Sequence, residues 1–259
     1  MKLDVNGTHI QVTQQGNGEL ALVFLHYYGG SSRTWDAVAG ALSDRYRTMA
    51  IDHRGWGESA KPESGYELAT LAADAQAVID ALNLQRYILV GHSMGGKVAQ
   101  LIASHQPTGL EGLVLVAPSP PSPMHLSAQE RTLLTSAYSS RESVGYVIDN
   151  VLTAKELSAA QREQVIEDSL KGSPQAKKAW PDVMMAEDIT ADVAAIKVPA
   201  MVILGERDKV ERRPVLEAEL LPRIPQATLH IIPDAGHLLP LEAPQALTER
   251  IVHFITHAL

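Results

Sequence analysis

Short apolar runs alternate with amphipathic stretches along most of this chain. The apolar runs lie at residues 20–25, 46–51, 87–90, 113–116, 200–204 and 228–232. Their nearly continuous apolar character is typical of strands buried on both faces of a sheet. Helical patterns lie between them, at residues 34–42, 68–82, 95–105, 215–221 and 244–257. Strands that alternate with helices predict right-handed crossovers and a doubly wound, mostly parallel sheet, so the predicted fold class is α/β.

The first residues carry a different signal. Residues 3–5 and 8–12 flank Asn6-Gly7, and this dipeptide suits the positive backbone angles of a two-residue hairpin turn. We therefore expect an antiparallel pair at one edge of the sheet.

One long stretch breaks the alternation of strands and helices. It begins at the proline-rich residues 118–123 and reaches about Val193 without a convincing strand, while helical patterns lie at residues 128–138, 143–152, 159–170 and 175–185. Prolines mark the point where the chain leaves the sheet. We predict a core of residues 1–118 and 194–259, with a helical cap of residues 119–193 inserted over the carboxyl edge of the strands, where open α/β sheets bind ligands.

A Gly-x-Ser-x-Gly motif, residues 91–95, follows the apolar run at 87–90 and precedes an alanine-rich amphipathic stretch that begins at Lys97. A sharp turn from strand to helix can hold a serine in a strained backbone conformation, and the small neighbours Gly91 and Gly95 keep other side chains away from it. Ser93 is therefore the candidate nucleophile.

A serine needs a base to act as a nucleophile and a further group to orient that base. Asp208 follows the apolar run at 200–204, and His237 follows the run at 228–232 in a Gly-His loop. Asp208 competes for the orienting role with Glu206 and Asp234, which lie nearby in the chain. We predict His237 as the base and acid and Asp208 as its orienting carboxylate, in the chain order of the nucleophile-elbow fold.

These motifs together resemble those of the α/β-hydrolases that carry a helical cap, and the resemblance covers nearly the whole chain. Residues 52–59, DHRGWGES, resemble the family's D-x-R-G-x-G-x-S loop, and residues 25–32, LHYYGGSS, resemble its H-G-x-x-G oxyanion loop. In the first of these loops we expect Asp52, Arg54 and the glycines to be structural, with an internal charge pair and tight turns.

The resemblance implies that the backbone N–H groups of Tyr28 and Met94 form the oxyanion hole. Tyr27 is a departure, since family members usually have glycine at its position. One hypothesis is that a hydroxyl of Tyr27 or Tyr28 reaches the substrate or the oxyanion. The alternative is that one ring packs under the loop and the other only lines the pocket.

Candidates for the substrate pocket come from both parts of the chain. Tyr27 and His92 flank the nucleophile, while Trp180 and Met184 belong to the predicted cap. Binding pockets are mostly apolar, and these residues suit one. The apolar residues of the cap, which also include Met124, Tyr138, Tyr146 and Met185, could equally form the cap's own core.

The charge and composition of the chain limit the classes of molecule that it can be expected to bind. The 259 residues carry a formal net charge of -8 and no cysteine, with no basic stripe for nucleic acid or an anionic membrane. No apolar segment resembles a signal peptide or a membrane span, so we expect a cytoplasmic protein. We predict a small-molecule substrate, no nucleic-acid or membrane partner, no cofactor and no metal, and a monomer or small homo-oligomer.

Serine at the elbow favours acyl transfer, because dehalogenases and epoxide hydrolases of the same fold carry aspartate there. The predicted function is hydrolysis of a small or medium-sized carboxylic ester through an acyl-enzyme. The resemblance also allows a lactonase, a hydrolase of carbon–carbon bonds or a cofactor-free perhydrolase with the same triad. A small-ligand receptor built on the fold is the alternative from another class.

Overall fold

A computed structural model describes residues 1–259, and one eight-stranded sheet runs through it. The strands are β1 (Lys2–Val5), β2 (Thr8–Gln15), β3 (Ala21–Leu25), β4 (Arg47–Ile51), β5 (Tyr87–His92), β6 (Leu110–Val116), β7 (Ala200–Gly205) and β8 (Ala227–Ile232). Their order in the sheet is β1-β2-β4-β3-β5-β6-β7-β8. The pairs β1–β2 and β2–β4 are antiparallel, and all other neighbours are parallel. This is the mostly parallel sheet of the α/β-hydrolase fold.

The central strands owe their burial to their apolar sequences. Every residue of β3, β5 and β7 is buried, as expected for strands covered on both faces. At the edge, the turn between β1 and β2 places Asn6 at φ 47° and Gly7 at φ 70°, both in the left-handed region. The predicted hairpin therefore forms where Asn-Gly allows it.

Eleven α-helices accompany the sheet, and none is long and apolar enough to reach across a bilayer. The helices are α1 (Asp36–Leu42), α2 (Leu68–Ala81), α3 (Met94–Ser104), α4 (Ala128–Ala137), α5 (Arg141–Val147), α6 (Ala159–Lys171), α7 (Pro174–Asp182), α8 (Thr190–Val193), α9 (Arg213–Glu219), α10 (Leu239–Glu242) and α11 (Pro244–Ala258). Helix α1 contacts α11, whereas α2 and α8 contact α3.

The chain between β6 and β7, residues 117–199, contains only helices and turns, and we call it the insertion. It holds α4 to α8, a π-helical turn at Ile148–Leu152 and a 3₁₀ turn at Met184–Ala186. The side chains of Ser127, Ser140, Ser158 and Ser173 each accept a hydrogen bond from the first turn of the helix that follows. These serines stabilise helix starts that the periodicity of the sequence locates only approximately.

Helix α3 differs from its prediction as an amphipathic helix. All eleven of its residues are buried, including Lys97 and Gln100. The polar groups are buried because the insertion covers them: the Lys97 ammonium donates to the Glu187 carbonyl over 2.7 Å, and the Gln100 amide donates to the Ser119 carbonyl over 2.9 Å. The short helices α8 and α10 were not predicted.

The loop after β4 is structural, and its charge pair reaches outside the loop. Asp52 accepts backbone N–H bonds from Ser32 over 2.6 Å and from Glu58 over 2.8 Å, so it does not pair with Arg54. Arg54 instead makes a two-pronged bond to Asp74 of α2, with Nε to Oδ2 at 2.6 Å and Nη2 to Oδ1 at 2.8 Å. Both side chains are buried, which joins the loop to α2.

Replacing Asp74 with alanine tests this buried ion pair. Asp74→Ala leaves the Arg54 guanidinium buried without its counter-ion, and we expect the free energy of unfolding to fall by about 3–5 kcal/mol. Urea denaturation measures the change. Asp80→Ala, at an exposed position of the same helix, is the control and should change stability by less than about 0.5 kcal/mol. Equal losses in both variants would contradict a specific contribution from the pair.

Candidate active site

Ser93 occupies a strained turn between β5 and α3. Its φ of 53° and ψ of -115° lie in a region that residues with a side chain rarely adopt. The turn is held by the Ser93 N–H, which donates to the Val116 carbonyl of β6 over 3.0 Å. The Ser93 hydroxyl makes no hydrogen bond within the chain and faces a cavity. Ser93 is thus a hydroxyl presented by a nucleophile elbow.

Close packing around the elbow leaves no room for side chains. A Cβ atom on Gly91 would lie 2.4 Å from the Gly95 carbonyl oxygen, and one on Gly95 would lie 2.4 Å from the Leu25 carbonyl oxygen. The first contact packs the end of β5 against the start of α3, and the second packs the start of α3 against the end of β3. The glycines of the motif therefore serve the approach of two backbones.

His237 and Asp208 come together above the carboxyl ends of the strands. His237 Nδ1 lies 2.9 Å from Asp208 Oδ2, and both side chains are buried. The other Asp208 oxygen accepts the N–H groups of Val210 over 2.8 Å and Glu211 over 3.0 Å. These bonds fix the carboxylate, which in turn fixes the imidazole with Nε2 free for a proton from a hydroxyl.

The environment of His237 favours its protonated form. Burial is the largest single effect and lowers the pKa of the imidazole, but the Asp208 carboxylate, Glu211 and Glu242 together outweigh it. The net pKa lies above the ordinary histidine value. An imidazole in this setting can take a proton from a serine and hold it as an imidazolium.

The other two acids considered for the orienting role lie elsewhere. Glu206 accepts the Asp234 N–H over 3.1 Å, and the Asp234 carboxylate pairs with Arg207 at 2.7 Å. Neither carboxylate bonds to His237. Asp208 is the carboxylate that the structure places beside the imidazole.

Two backbone N–H groups near the elbow have no hydrogen-bond partner in the chain. They belong to Met94, the first residue of α3, and to Tyr28, in the loop after β3. Unpaired N–H groups at such a place can donate to an oxyanion. The two residues named from the resemblance therefore present free donors.

The two tyrosine side chains of this loop differ. The Tyr28 hydroxyl donates to the Lys177 carbonyl of α7 over 2.6 Å, and the Tyr138 hydroxyl donates to the Tyr28 carbonyl over 3.0 Å. The Tyr28 hydroxyl therefore ties the loop to the insertion. The Tyr27 ring packs against His92, with ring centroids 5.1 Å apart, and its hydroxyl has no partner in the chain. A hydroxyl role in the pocket stays a prediction for Tyr27.

A cavity of about 520 Å³ opens above Ser93. The insertion supplies most of its lining. The lining residues are Tyr27, Tyr28, Ser93, Ser119, Met124, Leu133, Leu134, Ser136, Ala137, Tyr138, Ser143, Tyr146, Val147, Val151, Leu152, Trp180, Met185, Val210, Glu211 and His237. Tyr27 and Trp180, two of the predicted pocket residues, are among them.

Two predicted pocket residues do not line this cavity. Met184 is buried in the core, and its neighbour Met185 faces the cavity instead. The reason is the 3₁₀ turn that follows α7, because consecutive residues in such a turn point about 120° apart. His92 is buried beneath the site, where its Nε2 lies 2.8 Å from the His237 carbonyl oxygen and braces the histidine loop.

Sequence reasoning missed a polar pair in the cavity wall. The Ser119 hydroxyl donates to Glu211 Oε1 over 2.6 Å, and both residues are buried. Glu211 stands three residues after Asp208, so its place in the acid loop was an available signal. Ser119 lies in the proline-rich segment, where the sequence gives no reason to select one serine over another.

The sheet, the elbow and the His237–Asp208 pair together define an α/β-hydrolase. The model of the alpha/beta hydrolase family matches residues 22–250, and the chain belongs to this family.

Several characterised proteins are similar to it. The sn-1-specific diacylglycerol lipase ABHD11 of Mus musculus is 28% identical over 254 residues, which cover 91% of this chain and 80% of the lipase. The non-heme haloperoxidase of Rhodococcus erythropolis is 27% identical over 248 residues, 90% of each chain. The esterase EaEST of Exiguobacterium antarcticum shares the fold, with a TM-score of 0.89, 24% identity and 97% of each chain covered.

Gly95→Ala tests the close packing at the elbow. Its Cβ would lie 2.4 Å from the Leu25 carbonyl oxygen and 2.6 Å from that of His26. Since neither backbone atom can move cheaply, we expect a loss of about 1–3 kcal/mol in urea denaturation.

The matched control is Gly40→Ala in α1, where the Cβ meets only the Gln15 side chain at 3.7 Å. Alanine should leave stability unchanged or raise it by up to about 1 kcal/mol, because it favours helix. If Gly95→Ala behaves like Gly40→Ala, the close backbone contacts of Gly95 do not limit the elbow to glycine at this position.

Proposed function

We propose that this protein is a serine hydrolase that cleaves a small or medium-sized carboxylic ester through an acyl-enzyme. One observation carries the proposal: an accessible Ser93 hydroxyl shares a cavity with His237, whose imidazole is bonded to Asp208. A hydroxyl, a base and an orienting carboxylate are the groups that acyl transfer requires.

The first half of the reaction forms the acyl-enzyme. His237 takes the Ser93 proton as the Oγ attacks the ester carbonyl, and the N–H groups of Tyr28 and Met94 stabilise the oxyanion that develops. Asp208 stabilises the imidazolium. The C–O bond then breaks, and His237 gives the proton to the departing alkoxide, so that an alcohol leaves and the acyl group remains on Ser93.

Water completes the reaction. His237, neutral again, takes a proton from a water molecule that attacks the acyl carbonyl. The second tetrahedral intermediate collapses with return of the proton to Ser93, and the carboxylic acid leaves. No hydrogen bond joins Ser93 to His237 in the free protein, and such bonds often tighten only when substrate binds.

The cavity supports the size and polarity of the proposed substrate. Its volume of about 520 Å³ suits a small or medium-sized ester, and its walls are mostly apolar. The predicted cap, residues 119–193, supplies Trp180, Met124 and Met185 to these walls, so we propose that it selects the acyl chain. The lipase relative acts on esters and is consistent with this reading.

The haloperoxidase relative supports one alternative, a perhydrolase. Hydrogen peroxide would then replace water as the attacking group on the same acyl-enzyme, and the product would be a peroxyacid. Ser93, His237 and Asp208 would keep their roles, so the difference lies in the second nucleophile.

Ser93→Ala tests the nucleophile. We expect the wild type to release p-nitrophenol from acetate, butyrate and octanoate esters and to gain one phosphonate adduct by intact mass. The variant should lose the adduct and at least about 10³-fold in kcat, because the attacking oxygen is gone.

The panel also contains a lactone, and acetate with hydrogen peroxide, so that the alternatives are measured on the same preparation. Thr132→Ala, at an exposed position of α4, is the control and should behave as the wild type. Ester hydrolysis that survives in Ser93→Ala, or a wild type inert to both esters and phosphonate, contradicts the proposal.

Asp208→Asn tests the origin of the raised His237 pKa. Because the carboxylate favours the imidazolium, its removal should lower the pKa and move the rising limb of the kcat/KM profile to lower pH. We also expect kcat to fall by about 10⁴-fold, as in a serine protease triad. Rates of p-nitrophenyl butyrate hydrolysis across pH measure both effects, and an unchanged midpoint would show that another group sets this limb.

A further inference from the structure

A buried carboxyl group with a free oxygen faces the substrate cavity. Glu211 is only 4% exposed, and Ser119, which donates to its Oε1 over 2.6 Å, is 1% exposed. Both residues belong to the cavity wall. In the proposed mechanism neither side chain contacts the substrate.

The second oxygen of this carboxyl, Oε2, makes no hydrogen bond in the chain. This atom is not fully enclosed, and Glu211 lines the cavity, so Oε2 is open to a ligand there. Burial raises the pKa of Glu211 to about 7, with the Ser119 hydroxyl acting against this rise. Buried carboxyl groups normally find hydrogen-bond donors, and one acceptor here has none from the protein.

The position of Glu211 decides which part of a substrate it meets. Tyr28, one proposed oxyanion donor, follows β3, whereas Ser119 follows β6, and β3 and β6 lie on opposite sides of β5. Glu211 is also in the loop of Asp208, and its backbone N–H donates to that carboxylate over 3.0 Å. The Glu211 side chain therefore lies on the side of the imidazole, away from the loop that would receive the carbonyl oxygen.

The leaving group of an ester must lie beside the imidazole that protonates it. We propose that Glu211, held by Ser119, accepts a hydrogen bond from a hydroxyl on the alcohol part of the substrate. The preferred substrates are then apolar acyl esters of a polyhydric alcohol. This inference rests on the proposed ester hydrolysis and adds a specificity residue to it.

The test compares two esters that share the butyryl group and differ in one hydroxyl, 2-hydroxyethyl butyrate and propyl butyrate. Both form the same acyl-enzyme, so any difference between them arises before deacylation. The measured quantity is the ratio of their kcat/KM values in a pH-stat at alkaline pH, where Glu211 is ionised. Burst-phase kinetics of p-nitrophenol release from p-nitrophenyl butyrate, which forms the same butyryl-enzyme, give the deacylation rate that the two esters share.

We expect Glu211→Leu to lower this ratio about tenfold or more, because a hydrogen bond to a buried charged group is lost. Glu211→Gln keeps a carbonyl oxygen and should stay within about threefold of the wild type. Ser119→Ala, which frees the carboxyl from its tether, should lower the ratio by an intermediate amount. Because Glu211 also raises the pKa of His237, the deacylation rate is compared on the pH plateau of each variant, where it should change little in all three.

Ser136→Ala is the matched control, since Ser136 lines the same cavity but bonds only to the Leu133 carbonyl over 2.9 Å. Its ratio should equal that of the wild type. A ratio unchanged in Glu211→Leu and Ser119→Ala, with both esters still hydrolysed, overturns the inference alone. A selective loss with methyl 3-hydroxybutyrate against methyl 3-methylbutanoate would place Glu211 beside the acyl chain and also overturn it. A wild type inert to every ester overturns the inference together with the proposed function.

Discussion

The strained backbone of Ser93 is the constraint on which the rest of this site depends. A residue with a side chain at φ 53° is unfavourable by itself, and the surrounding packing must hold it there. The strands β5 and β6 fix the turn from below, and Gly95 lets α3 approach the loop after β3. The same close approach packs the start of α3, where Met94 lies, against the residues that precede Tyr28. The position of the Ser93 hydroxyl thus depends on this packing arrangement.

The polar groups of the cavity are divided between its two sides. The Tyr28 N–H follows β3 and the Met94 N–H follows β5, whereas the acidic side chains of Asp208 and Glu211 share one loop after β7. Between them the wall is mostly apolar. This division would orient a bound ester, because its carbonyl oxygen would accept hydrogen bonds on one side. A hydroxyl on its alcohol part would donate a hydrogen bond on the other side.

The sequence predicts much of the fold because the apolar runs that favour strands locally are also the segments that the helices bury in the sheet. All eight strands lie at apolar runs or beside Asn6-Gly7, and Ser93, Asp208 and His237 lie in the segments that follow β5, β7 and β8. Met184 could not be assigned correctly, since the 3₁₀ turn that rotates it into the core has no separate signal in an apolar stretch. Arg54 could not be paired correctly either, because Asp74 lies in a helix twenty positions along the chain. Likewise, the hydrogen bond between Ser119 and Glu211 depends on the path that the chain takes after β6. The composition of the proline-rich segment does not predict this path.

The Tyr28 hydroxyl bond to Lys177 joins the insertion to the loop of the proposed oxyanion hole. The Tyr138 hydroxyl donates a second hydrogen bond, to the Tyr28 carbonyl. The Lys177 ammonium donates to the Tyr138 carbonyl over 2.9 Å, so hydrogen bonds link all three residues. An outward movement of α7 would break the first of these bonds and loosen the loop that carries Tyr28, one of the two proposed oxyanion donors. If the insertion lifted to admit a bulky molecule, the loop could not at the same time stabilise a tetrahedral intermediate. The reaction would then begin only after the insertion had returned to its closed position.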